Sequence, residues 1–145
     1  MESFIKTSVE INAPIATVWD ALINPDRTEQ YMFGCRVVSD WSDGATVNWV
    51  GKVEGNEVTF VKGFLVAFVP EKSLVYTVVD PNAPYADNRE DHLTVSCELS
   101  ETPGGTLLLV SQGDYSKVAD GPSRYGHGVD GWNQLLETIK IVAER

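Results

Sequence analysis

The sequence has few of the features that mark metal sites, disulfide frameworks or membrane spans. Its 145 residues include only two cysteines, Cys35 and Cys97, and neither lies in a C-x-x-C motif or a Cys/His cluster. We therefore predict no metal site. No apolar run approaches the ~20 residues of a transmembrane helix, and Met1–Thr7 lacks the basic stretch and apolar run of a signal peptide. We expect a cytoplasmic protein with both thiols reduced.

Basic residues are also scarce. Lysine and arginine together number 11 against 21 aspartates and glutamates, which gives a net charge of −10. Such a surface repels phosphate backbones and anionic lipid headgroups, so we predict neither nucleic acid nor membrane as a partner. The sequence leaves a homodimer open. The length fits one domain covering residues 1–145.

The periodicity of the apolar residues changes along the chain. Strict alternation predicts a strand over Ile5–Ile11, and after Pro14 the apolar residues from Ile15 to Leu22 recur at the spacing of a short helix. A second short helix is predicted over residues 26–32. Alternation or continuous apolar character then predicts strands over residues 45–51, 57–69, 73–79, 92–99 and 106–112.

The last segment has the pattern of one long amphipathic helix, from about Pro122 to Arg145. Its apolar stripe includes Trp132, Leu136 and Ile139. Strands joined by short turns form an antiparallel sheet, and the apolar face of that sheet needs a cover. The sequence therefore predicts an α+β fold in which a curved antiparallel sheet of six to seven strands wraps around the C-terminal helix.

Several motifs resemble those of START-like proteins, also called the SRPBCC or birch-pollen-allergen superfamily. Ile11–Leu22 is similar to the opening I-x-A-P-x-x-x-V-W-x-A-L, and Gly131-Trp132 with Leu136 is similar to the helix motif G-W-x-x-x-L. The subfamily that the motifs resemble most contains homologues of the heat shock protein 90 ATPase activator. The resemblance implies a helix-grip fold, with two short helices after the first strand and a cavity between the sheet and the long helix.

The predicted pocket lies between the concave face of the sheet and the helix. Tyr76 and Gln112 are its polar groups; Val78 stands where the family usually has Trp, and Gln112 where His or Thr is common. A closed core made of the same side chains is the alternative. The predicted lining is Trp49, Phe60, Phe68, Tyr76, Val78, Val95, Cys97, Val110, Gln112, Trp132 and Leu136.

Two further features stay undecided or carry no chemistry. Residues 63–69 are apolar at every position after Gly63, so either the set Phe64, Val66 and Phe68 or the set Leu65, Ala67 and Val69 faces inward. His127 lies among glycines and His92 lies on the outer face of a strand, and neither has the spacing of a catalytic site. We predict no catalytic residue, no metal and no cofactor.

Three functions compete. The resemblance and the inward-facing aromatic residues favour a binding module for a small, largely hydrophobic or aromatic molecule. A polyketide cyclase or aromatase-like enzyme is the second hypothesis, although the residues supply no convincing acid/base pair. The third is a chaperone-interacting protein related to the heat shock protein 90 ATPase activators, which nothing in the sequence supports beyond the resemblance.

Overall fold

The computed structural model describes residues 3–145 and contains one seven-stranded antiparallel sheet, with strand order β1-β7-β6-β5-β4-β3-β2. The elements follow one another as β1 (Phe4–Ile11), α1 (Ile15–Ile23), α2 (Pro25–Tyr31), β2 (Arg36–Val38), β3 (Thr46–Val53), β4 (Asn56–Val69), β5 (Ser73–Val78), a single 3-10 turn (Arg89–Asp91), β6 (Leu93–Thr102), β7 (Gly105–Gly113) and α3 (Gly121–Ala143).

Helix α3 lies across the concave face of the sheet and contacts β1, α1 and α2. Successive side chains of a strand point to opposite faces of the sheet, and the apolar ones lie on the buried face. Ile5 and Ile11 of β1 point to the core, as do Val95 and Cys97 of β6. On α3 the buried residues recur every three or four positions, so one stripe of the helix meets the sheet. The arrangement confirms the predicted helix-grip fold.

Strand β2 is the one strand that the sequence did not predict. Its three residues are too few to show an alternation, and its pairing with β3 places Val37 opposite Trp49. The buried hydroxyl of Thr28 holds it in place, because it donates to the Cys35 carbonyl (3.1 Å) and accepts from the Val37 amide (3.0 Å). This junction fastens α2 to the edge of the sheet.

A β-bulge in β4 answers the question left open for residues 63–69. Leu65 pairs with Tyr76 while Ala67 pairs with Val75, so Val66 is an extra residue on one strand. The bulge shifts the alternation by one position, and both Leu65 and Phe68 therefore pack toward the core, whereas Val66 is exposed. Neither of the two predicted sets is right, since a single set requires an unbroken strand.

Strands β4 and β5 approach each other closely beside Gly63. A Cβ atom at this position would come within 1.7 Å of the Thr77 carbonyl oxygen, so only glycine fits. The approach lets Lys62 and Val79 exchange two backbone hydrogen bonds, of 3.1 and 2.8 Å. Those bonds fix the direction in which the chain leaves β5, and hence where the loop over residues 80–91 lies.

The loop over residues 80–91 is largely exposed, but Ala86 is buried and the loop packs on the body of the protein. The His92 ring, expected on an outer face, is buried beneath the loop, and its Nε2 donates to the Ala86 carbonyl (2.8 Å). Asp91 accepts from the Ala119 amide (2.8 Å), and Arg124 donates to the Asp91 carbonyl (2.8 Å). The loop is thereby joined to the first turns of α3.

Among residues 3–145, none of the helices combines the length and the apolar character that a membrane span requires.

Candidate functional site

A cavity of about 570 Å³ lies between the concave face of the sheet and α3. Strands β3 to β7 form its floor, and residues of α1, α2 and α3 as far along as Ile139 form its other walls. Nine of the eleven residues predicted to line it do so: Trp49, Phe60, Tyr76, Val78, Val95, Cys97, Val110, Gln112 and Trp132.

The other two predicted residues lie outside the cavity wall. Phe68 follows the β-bulge and packs its ring against Trp19 and Trp41, each with its ring centroid 5.3 Å away. Leu136 is buried in the core and does not contribute to the cavity wall. Leu135 and Ile139 form the helical wall in its place.

Some lining residues have no signal in the sequence pattern. Tyr31 and Met32 come from the end of α2, and Tyr85 comes from the loop over residues 80–91. A polar pair, Arg124 and His127, lies on the glycine-rich beginning of α3. His127 follows Arg124 by three residues, and Gly131 follows His127 by four. That spacing is the only sequence feature that could have indicated the polar pair, and it becomes meaningful only once the start of α3 is known.

Two glycines of α3 have opposite roles. A Cβ atom at Gly128 would lie 2.5 Å from the Tyr115 hydroxyl and 2.8 Å from Ile5 Cδ1, so this glycine allows the helix to pack closely. A Cβ atom at Gly131 would meet nothing within 4 Å. Gly131 lines the cavity, and its missing side chain therefore leaves space between the helix and the sheet.

The buried polar groups are few and uncharged. The Trp132 indole N–H donates to Gln112 Oε1 across the gap between α3 and β7. The Tyr31 hydroxyl donates to the Ala21 carbonyl (2.8 Å). The Tyr76 hydroxyl lies beside the Cys97 thiol on the neighbouring strand.

Burial keeps these groups neutral. It raises the pKa of the Cys97 thiol to about 12, with the nearby Tyr76 hydroxyl acting in the opposite direction. Burial also raises the pKa of Tyr31 and Tyr76 above the ordinary tyrosine range. At neutral pH the interior therefore offers neither a thiolate nor a phenolate, and an uncharged, mostly apolar molecule suits it best.

Polar and charged side chains gather at the mouth of the cavity. Asp80, Asp120, Arg124 and His127 all contribute to its rim. The Arg124 guanidinium lies over the Tyr85 ring at 4.7 Å and also donates to the Ala119 carbonyl (3.0 Å). This cation is thus held in one place by the loop and the helix start. Residues 3–145 contain no group of three or more His, Cys, Asp or Glu side chains that could hold a metal ion.

The sequence and the fold both have known counterparts. The family model described as "Activator of Hsp90 ATPase homolog 1-like protein" matches residues 12–144. No curated protein matches the sequence. The solution structure of ChR145 from Cytophaga hutchinsonii is 32% identical, with a TM-score of 0.73 over 97% of this chain and 94% of that one.

Two crystal structures share the fold at lower identity. MLL2253 from Mesorhizobium loti is 23% identical, with a TM-score of 0.75 over 96% of this chain and 95% of that chain. DynU16, described as a protein in the dynemicin biosynthetic locus, is 15% identical, with a TM-score of 0.72 over 97% of this chain and 46% of that chain.

Proposed function

The chain belongs to the family of activator of Hsp90 ATPase homolog 1-like proteins, and on that premise we propose that it is a binding module for a small, largely hydrophobic molecule held between the sheet and α3. One observation carries the proposal: the cavity of about 570 Å³ lies within the range of small-molecule sites and has a wall of rings and aliphatic side chains.

The glycine at position 131 supports an open pocket over a filled core. Cores are normally packed to crystal-like density, and an empty volume costs dispersion contacts. Glycine inside a helix also costs about 0.5–1 kcal/mol relative to alanine. At Gly131 an alanine Cβ would meet nothing within 4 Å, so the missing contacts and the unfavourable helical glycine occur at the same position. A ligand that fills the space offsets them.

The groups on the floor of the cavity favour binding over catalysis. A cyclase-like reaction needs a group that gives or takes a proton near neutral pH. Burial raises the pKa values of Cys97 and Tyr76, and the Gln112 and Trp132 side chains do not titrate. The likeness to DynU16, at 15% identity, concerns the fold alone.

The proposal includes a cytoplasmic location for the protein, which the free thiols of Cys35 and Cys97 support.

Uptake of the neutral fluorophore N-phenyl-1-naphthylamine tests the proposal. We expect its emission to shift to the blue on binding and naphthalene to displace it. Gly131→Phe should abolish the uptake, because the new ring enters the cavity. Gly126→Phe is the matched control: a Cβ atom there also meets nothing within 4 Å, but Gly126 is exposed and does not line the cavity.

The proposal fails if the unaltered protein takes up no fluorophore. It also fails if Gly131→Phe and Gly126→Phe both bind the fluorophore as well as the unaltered protein does, since the dye would then be bound elsewhere. Circular dichroism of both variants would be measured to check that the helix remains folded.

A further inference from the structure

We infer that the ligand carries a hydrogen-bond acceptor, such as the carbonyl oxygen of a ketone, quinone or lactone, at the end that enters the cavity, and that the Gln112 amide N–H group binds it. The inference rests on the proposed function and names the chemical class of the ligand at the same site. It depends on the direction in which the Gln112 amide points and on which groups stand beside it.

Trp132 decides the direction of that amide. An indole N–H can only donate a hydrogen bond, so the atom of Gln112 that faces it must be the oxygen, Oε1. The amide nitrogen then carries both of its N–H donors on the other side of the group. Gln112 lines the cavity, and its nitrogen is the amide atom left for a ligand.

The neighbouring strands hold Gln112 in a row with a second donor. Gln112 of β7 pairs with Val95 of β6, and Val95 pairs in turn with Tyr76 of β5. Paired residues share a face of the sheet, so all three side chains line the cavity, with Tyr76 and Gln112 two strands, or roughly 10 Å, apart. The Tyr76 hydroxyl keeps its proton because burial raises its pKa. The floor therefore presents the Gln112 amide and the Tyr76 hydroxyl, which lies beside Cys97, across the width of a ring-sized molecule.

Strong acceptors are found elsewhere on the cavity wall. The carboxylates of Asp80 and Asp120 belong to the lining, but they come from the loop after β5 and the N-terminal end of α3, at the mouth. An amine or ammonium group placed against the Gln112 amide N–H would bring donor against donor in a largely apolar pocket, which costs the desolvation of both. The arrangement therefore selects a carbonyl and rejects a cation at the buried end.

A matched pair of ligands tests this selection. 2-Acetylnaphthalene and 2-isopropenylnaphthalene have nearly the same shape, but only the ketone has an acceptor. Calorimetric dissociation constants would be measured for both on the unaltered protein and on Gln112→Met, which keeps the length of the side chain and removes the amide. We expect the ketone to bind roughly three- to tenfold more weakly to the variant, the usual worth of one hydrogen bond. The hydrocarbon should change less than about twofold.

Gln112→Glu provides a second test that does not depend on the shape of methionine. The apolar wall raises the pKa of the new carboxyl group, whereas the Trp132 N–H, which donates to its ionised form, lowers it. When protonated it can still donate to the ketone; when ionised it accepts from Trp132 and has no donor left. The affinity of this variant for 2-acetylnaphthalene should therefore fall as the pH rises from 5 to 9. Its affinity for 2-isopropenylnaphthalene should not change over that range, and neither should the affinity of the unaltered protein for either compound.

Two outcomes overturn the inference. If both compounds bind the unaltered protein and Gln112→Met weakens them equally, Gln112 does not select an acceptor, and the binding function stands without it. If neither compound binds the unaltered protein, the binding function fails and the inference fails with it. Thermal unfolding of both variants shows whether a lost affinity comes from a lost fold.

Discussion

The two halves of α3 differ in what they contact. The C-terminal half presents Leu136, Val142 and Ala143 to a closed core and exposes less than a tenth of each. The N-terminal half contains four glycines in its first eleven residues, and two of them, Gly128 and Gly131, line the cavity. One helix thus supplies most of its stabilising contacts at one end and leaves room at the other.

The two ends of the helix are also anchored differently. At the C-terminal end Lys140 donates to the Glu10 carbonyl (3.0 Å), and Glu144 accepts from the Asn12 amide (2.8 Å), which joins the helix to the end of β1. At the N-terminal end Arg124 holds the helix to the loop over residues 80–91, which is itself part of the cavity rim. The closed end is fixed to the sheet, whereas the open end is fixed to a loop. This comparison teaches that stability and binding can be changed separately along one element.

The largest expected effect separates two adjacent leucines. Leu136→Ala removes a side chain from the closed core and should cost about 2–5 kcal/mol of unfolding free energy. Leu135→Ala should cost less than about half of that, because Leu135 is only partly buried and faces space that is already open. Urea unfolding monitored by circular dichroism gives both values.

The same pair should exchange roles in binding. Leu136→Ala should leave uptake of N-phenyl-1-naphthylamine almost unchanged at temperatures where the variant is folded, whereas Leu135→Ala should change it. Equal losses of stability for the two variants would remove the distinction between the core side and the cavity side of α3.

Unfolding at alkaline pH tests whether water is excluded from the part of the cavity wall around Cys97. Burial raises the pKa of Cys97 from its ordinary value of 9.0 to about 12. Above pH 9 the unfolded chain loses the thiol proton while the folded protein keeps it, so the unfolded state binds fewer protons. The stabilisation is therefore complete below pH 9 and should be lost by up to about 1.4 kcal/mol per pH unit as the pH rises toward 12.

Cys97→Ala should reduce that slope, and measurements between pH 8 and 10 precede most of the tyrosine titration. Cys35→Ala is the control, since burial raises the pKa of Cys35 as well but Cys35 does not line the cavity. An unchanged slope in Cys97→Ala would mean that water reaches the thiol and that the open end of the site is wet.

Periodicity predicted the elements that are long and regular. Alternation in β1 and β6 and the stripe on α3 decide burial by themselves, so nine of the lining residues followed from the sequence. Leu136 was assigned to the cavity because a helical stripe is wider than the wall that it contributes, and the pattern does not tell which edge of the stripe meets the cavity.

Tertiary contacts decided the rest. The bulge at Val66 is invisible in a strand that is apolar on both faces, and it placed Phe68 in an aromatic cluster beside Trp41. Tyr85 and Arg124 reach the rim only because the loop packs against α3, and no local periodicity records that contact. The polar rim of the site was therefore missed, whereas its apolar floor was predicted.

The smallest expected effect concerns two glycines on the open half of α3. Gly126→Ala and Gly131→Ala should each raise the free energy of unfolding by about 0.5–1 kcal/mol, because alanine favours the helix and its Cβ atom meets nothing within 4 Å at either position. Only Gly131 lines the cavity, so only Gly131→Ala should alter the affinity for N-phenyl-1-naphthylamine. A stabilised Gly131→Ala with changed binding, beside a stabilised Gly126→Ala with unchanged binding, would mean that glycine at 131 provides ligand space at the expense of helix stability. If both variants bind alike, the open end of α3 is tolerated looseness, and the division between its two halves reduces to packing alone.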